Sequence, residues 1–129
     1  MKKTISLALM FLFVAFSIQL NAQVDKNKKT EASIASKKSG KITKSAIINA
    51  GKIDISISSK TIASFEMTFK SGSGVQTLTS NSKNFTTEMK NAINGFKLST
   101  PVTFQNIMIY ENSTPDRKER IEPFTLIIE

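Results

Sequence analysis

From residue 45 onward, apolar side chains recur first at every second position and then at helical spacing. Ile53, Ile55 and Ile57 fall on one side of "KIDISIS", and Phe65, Met67 and Phe69 on one side of "SFEMTF". That period of two is what a half-buried strand requires. Asn49-Ala50-Gly51 separates "SAII" from the first of these runs, and "SGSG" at residues 71–74 joins the second to "VQTLTS". Both junctions have the composition of hairpin turns. The pattern then changes period. Phe85, Met89, Ala92, Ile93 and Phe96 follow the i, i+4, i+7, i+8, i+11 spacing of one helix stripe. Asn84 or Thr86 is placed to cap that helix, and Glu88 suits the positive end of its dipole. Because Phe96 continues the stripe, the helix is expected to run to about Lys97, with Gly95 inside it at a cost of about 1 kcal/mol.

Pro101 restricts Thr100 to extended geometry, so "VTFQNIMIY" reads as a strand with Val102 and Phe104 on one face. The polar "ENSTPDRKER" reads as a loop, and "FTLII" as a closing strand with Phe124, Leu126 and Ile128 alternating. The fold class expected from residues 45–129 is α+β, mainly β. It would be a compact antiparallel sheet or sandwich of about six strands, with one amphipathic helix inserted before the last two.

The first 44 residues follow a different logic. "MKKTISLALMFLFVAFSIQLNAQ" places Lys2 and Lys3 before an apolar run from Ile5 to Ile18 and ends on Asn21-Ala22, the three parts of a secretory signal. The run is shorter than the roughly 20 residues of a spanning helix, which favours cleavage after Ala22 over a retained anchor. No Cys follows it, so a lipid-modified N-terminal cysteine is excluded. Residues 23–44 hold seven Lys against Asp25 and Glu31, a net +5, whereas residues 45–129 hold nine basic against eight acidic residues, a net +1. The formal charge of +8 therefore belongs to the N-terminal part and does not mark a nucleic-acid-binding domain. Rich in Lys and Ser and poor in large apolar groups, residues 23–44 are expected to form a disordered linker. A weak contact of these lysines with an anionic surface is the functional alternative.

Composition narrows the chemistry. The 129 residues suit one domain and include no His, Cys or Trp. That removes Cys nucleophiles, His bases, disulfides and the usual zinc ligands. Ser80-Asn81-Ser82-Lys83 matches the S-x-x-K pattern of serine acylases, but neither S-D-N nor K-T-G follows. Asp116, Glu119 and Glu122 are interleaved with Arg117, Lys118 and Arg120 and lack calcium-loop spacing. The glycines form neither G-x-G-x-x-G nor a P-loop. Tyr110 and the Phe residues are able to stack on a base or sugar, yet the Phe residues occupy the alternating apolar faces of a core. No catalytic, cofactor-binding or metal residue is assigned.

The helix "TTEMKNAINGFKL", the strand "PVTFQNIMI" and the closing "RIEPFTLIIE" together resemble the C-terminal domain of GldM, the gliding-motility and type IX secretion protein. In that family a helix leads through a tight turn to a strand of the form V-x-F/I-x-D/N-I, and the chain closes with Pro before an apolar strand. Val102, Phe104, Asn106, Ile107 and Pro123 hold those positions here. The resemblance covers about a third of the chain, and Thr100-Pro101 stands where the family has a Gly-Asp turn. It implies an exported, mainly β interaction module in the envelope of a Bacteroidetes-type bacterium, not GldM itself, which has an uncleaved membrane helix and further periplasmic domains. The function expected is thus a periplasmic or secreted, non-enzymatic protein-interaction or assembly module with an envelope protein as partner. The alternatives are an envelope enzyme or enzyme inhibitor with an unrecognised site, and a carbohydrate- or surface-binding protein using the basic segment. The exported chain is expected to begin at Gln23; an intact mass that retained residues 1–22 would contradict this.

Overall fold

The computed structural model describes residues 29–129; the expected export signal at 1–22 and residues 23–28 of the Lys-rich segment lie outside the described residues. In chain order the elements are β1 (Ala32–Ser33), β2 (Lys41–Ile42), α1 (Lys44–Ala50), β3 (Asp54–Ile55), β4 (Lys60–Ser71) and β5 (Gly74–Ser80). They continue with α2 (Thr87–Gly95), β6 (Pro101–Glu111), β7 (Thr114–Ile121) and β8 (Phe124–Ile128). β2, β8, β6, β4 and β5 follow one another across a six-stranded sheet, with β7 also paired to β6, and β1 and β3 form a small pair of their own. The fold is α+β and mainly β, as the periodicity implies, and of the two forms expected, sheet or sandwich, it is built on one main six-stranded sheet. The sheet is antiparallel apart from the β2–β8 pair, which is parallel.

Among the described residues only one face of the sheet is covered. Phe65, Met67 and Phe69 of β4, Val102 and Phe104 of β6, and Phe124, Leu126 and Ile128 of β8 are buried against Met89 and Ile93 of α2 and Ile47 of α1. The rings of Phe65 and Phe85 meet edge to face at 6.0 Å, those of Phe69 and Phe96 at 4.7 Å, and Phe104 stacks between Phe85 and Phe124. Such pairs add to the area they bury. All six Phe residues of the described chain therefore belong to the core, as their spacing implies.

The two longest strands keep one face inward only by changing step. On β6 the buried residues are Val102 and Phe104, then Ile107 and Ile109; on β4 they are Ile62, then Phe65, Met67 and Phe69. Even and odd positions exchange roles partway along each strand. The ladder shows how: Ile62 faces Ile109, Ser64 faces Met108 and Glu66 faces Gln105, so an extra residue enters β4 and then β6, and the register is restored. Bulges of this kind kink a strand and re-aim its side chains. The one in β6 centres on Asn106, which takes φ +47°, a left-handed conformation that Asn tolerates better than most residues. Its Nδ2 donates to Glu66 Oε1 at 2.7 Å, holding the two bulged strands together on the outer face.

Several expectations are corrected. The "SAII" segment is helical: Thr43 Oγ1 accepts from Ala46 N at the start of α1, and Gly51, at φ +63°, closes it. Three apolar residues in a row do not separate a strand from a helix turn, and the caps decide. The helix α2 begins as expected, with Thr86 as its cap, but ends at Gly95; Phe96 is extended (φ −68°, ψ 141°) and still reaches the core. "KIDISIS" alternates in burial as expected, with Ile53 buried and Ile55 and Ile57 half-buried, but only Asp54–Ile55 pair as a strand. "ENSTPDRKER" is not a loop. Its residues from Thr114 form β7, held by backbone pairing to β6 with side chains exposed on both faces, so it carries no apolar alternation. The helix therefore precedes three strands and not two.

The linker expectation also fails where the structure describes it. Ala32, Ile34 and Ile42 are buried. Lys41 and Ile42 pair with Ile127 and Ile128, and Glu129 N donates to Ile42 O at 2.9 Å. A few well-placed apolar residues and a strand ladder offset the ordering entropy that the polar composition alone would not. A chain beginning at Ser45 should accordingly be several kcal/mol less stable than one beginning at Gln23, since truncating a single buried Ile costs about 2–5 kcal/mol. Equal denaturant midpoints for the two chains would contradict this.

Candidate functional site

Chemistry-bearing residues named from the sequence do not assemble. Ser80 is buried, and its Oγ donates to Asn84 O at 2.6 Å and Ser82 O at 3.3 Å, so the hydroxyl fastens the turn after β5. Lys83 lies in the exposed turn and lines a small hollow with Ile53 and Asp54. Glu119 takes Lys60 at 2.7 Å and Glu122 takes Lys29 at 2.5 Å, so these carboxylates face cationic side chains. Among the described residues no three His, Cys, Asp or Glu side chains come together as a metal site. Tyr110 is half-buried on β6 opposite Thr61 and Lys118.

The Lys-rich segment is drawn into local contacts. Besides Lys29 with Glu122, Lys38 pairs with Glu31, Lys37 Nζ donates to Lys41 O at 2.6 Å, and Lys44 Nζ to Asn94 O at 3.2 Å near the end of α2. An open groove of about 620 Å³ lies between the β4–β5 hairpin and the end of α2 and includes Phe69, Lys70, Gln76, Asn91, Phe96 and Lys97. Its polar side chains are Lys70, Lys97, Gln76, Asn91, Ser71 and Thr100, with no carboxylate among them.

What the geometry does present is backbone. The sheet ends on one side at β5 and on the other at the two-residue β2, beside β8, and at β7, beside the second half of β6. The two longer edges, β7 and β5, differ in chemistry. β7, "TPDRKERI", carries Pro115 and five charged residues from Asp116 to Arg120, the features that block pairing with another strand. β5, "GVQTLTS", has no charge, no Pro and no bulge along seven consecutive pairs with β4. Val75 on it is 64% exposed.

The turn fixes which β5 groups face outward. Ser71 pairs with Gly74 across a two-residue loop in which only Gly72 has positive φ (+61°), the pattern of a type II′ hairpin. The residues closing such a loop are a hydrogen-bonded pair, and hydrogen-bonded and non-hydrogen-bonded pairs then alternate. Gly74, Gln76, Leu78 and Ser80 thus bond to β4. Val75, Thr77 and Thr79 turn their N–H and C=O toward the open edge, with no strand beyond them among the described residues.

The outer face beside this edge is also regular. Thr77 lies opposite Thr68, Thr68 opposite Thr103, and Thr103 opposite Thr125, a row of threonines across β5, β4, β6 and β8. Thr103 Oγ1 and Thr125 Oγ1 are 2.9 Å apart, and Thr68 and Thr77 3.4 Å. Sequence reading recovered the β4–β5 hairpin but missed the edge, because an edge is defined by which strand is absent beside it. Neither a scan against protein-family models nor a search of curated proteins finds a match for this chain.

Proline scanning tests the assignment of inward and outward groups. Thr77→Pro removes only an outward N–H, while Gln76→Pro removes a ladder donor and strands the carbonyl of Phe69. Gln76→Pro should therefore cost roughly 1–3 kcal/mol more than Thr77→Pro in urea unfolding; the reverse order would contradict it.

Proposed function

We propose that this protein is an exported, non-enzymatic interaction or assembly module of the bacterial cell envelope that takes up a strand of a protein partner at β5. The reading is carried by one observation: an unpaired, uncharged, unbulged seven-residue edge on a sheet whose other long edge, β7, carries Pro115 and five consecutive charged residues. An open edge of that kind is an aggregation hazard unless it has a use, and addition of a strand is the use that fits it. Main-chain hydrogen bonds would supply affinity, and Val75, Thr77 and Thr79 would meet alternate side chains of the incoming strand.

Export is supported by the charged, apolar and small-residue parts of the N-terminus, and no helix of the described residues is long and apolar enough to cross a membrane. The resemblance to the GldM C-terminal domain, carried by Val102, Phe104, Asn106, Ile107 and Pro123, supports an envelope setting of the Bacteroidetes type. Those residues have structural work in this fold, since Asn106 forms the bulge and Val102, Phe104 and Ile107 are buried.

The test is capture from an envelope extract by the immobilised exported chain, with Thr77→Pro as comparison. A partner held by the natural chain and lost by a Thr77→Pro chain of nearly unchanged melting temperature is the expected result. Equal capture by both chains would remove the β5 edge from the function. Turnover of a substrate by the purified chain would favour the enzyme reading.

A further inference from the structure

We propose that the β5 edge pairs with the β5 edge of a second copy of this chain, antiparallel about a twofold axis at Thr77, to form one continuous sheet. The inference rests on the strand-edge reading above and names its occupant.

Self-complementarity carries it. In the register centred on Thr77, Thr77 faces Thr77 of the second copy and Val75 faces Thr79. These are the residues whose N–H and C=O point outward, so each pair exchanges two backbone hydrogen bonds. No other antiparallel register uses all three. With neither charge nor Pro on β5, nothing in the strand opposes its own image.

The outer face agrees with this register. The threonine row Thr125–Thr103–Thr68–Thr77 would run across the axis into Thr77–Thr68–Thr103–Thr125 of the second copy. Threonines in cross-strand pairs are favourable neighbours. Charges beside the edge do not oppose this register. Lys70 stands behind Val75 and Glu66 behind Thr79, so Lys70 of one copy and Glu66 of the other would share a row on each side of the axis. They would be about 14 Å apart, three strand spacings, and of opposite sign. Parallel in-register pairing would set Lys70 against Lys70 instead. A strand of seven residues buries little area, so the dimer is weak and concentration-dependent.

The experiment is sedimentation equilibrium of the exported chain from micromolar to near-millimolar concentration, with a cross-linking arm. The natural chain should shift from the mass of one copy toward two, and Thr77→Pro should stay at one. The chain has no Cys, so Thr77→Cys adds a single thiol. A hydrogen-bonded pair sets its Cα atoms about 5.5 Å apart, within the roughly 4.4–6.8 Å that a disulfide spans. Mild oxidation should therefore convert Thr77→Cys to a covalent dimer, while Thr125→Cys, equally on the outer face, stays monomeric. Should Thr77→Pro fail to fold, the cross-linking contrast decides. A natural chain monomeric throughout, a dimer that survives Thr77→Pro, or equal cross-linking at 77 and 125 would each overturn the proposal. A monomeric chain whose capture of another protein still depends on Thr77 overturns the second copy alone. A monomer with capture indifferent to Thr77 overturns the strand-edge reading as well.

Discussion

One sheet face has to stay inward along strands of twelve and eleven residues, and the paired bulges in β4 and β6 make this possible. Without the extra residue near Asn106, the inward set Val102 and Phe104 would be continued by Asn106 and Met108, and Ile107 and Ile109 would face solvent. The compensating residue in β4 keeps the ladder in register on both sides of the irregularity. Everything beside β6 depends on that step. Its first half pairs with β8 and its second half with β7, so the last two strands share one flank of β6 and divide it at the bulge.

That division brings the two ends of the described chain together. With β8 alongside the first half of β6, its free side is open to β2, and residues near 41 complete the sheet in parallel with the C-terminal strand. Ile34 and Ile42 then fill the core beneath. The lysines around them remain at the surface, several against carboxylates or carbonyl oxygens, which is where long flexible cations are least costly. A segment with a composition typical of linkers is thus held by three buried apolar residues and a short ladder.

The two flanks of the sheet separate stability from use. β7 has no buried face of its own, so its charge does not compete with packing, and it closes that flank against further pairing. β5 packs Leu78 and Ser80 inward and leaves an uncharged rim outward, next to a groove bearing Lys70 and Lys97 and to the exposed threonine row. On the proposed reading, the binding surface is backbone and not a cluster of titratable side chains.

By itself the sequence determined the elements that bury a regular face: β4, β6, β8, the β4–β5 hairpin and the stripe from Phe85 to Phe96, because burial on one side imposes period two or 3.6 on apolar residues. It also determined the turn at Gly72 and the absence of His and Cys chemistry. Only the tertiary structure decided the elements that lack such a face. β7 exists through backbone bonds that have no sequence period, α1 through caps at Thr43 and Gly51, and the N-terminal segment through a partner strand more than eighty residues away. The open edge at β5 belongs to the same class, since an unpaired N–H is a property of the strand that is not beside it, and no local pattern encodes a neighbour's absence.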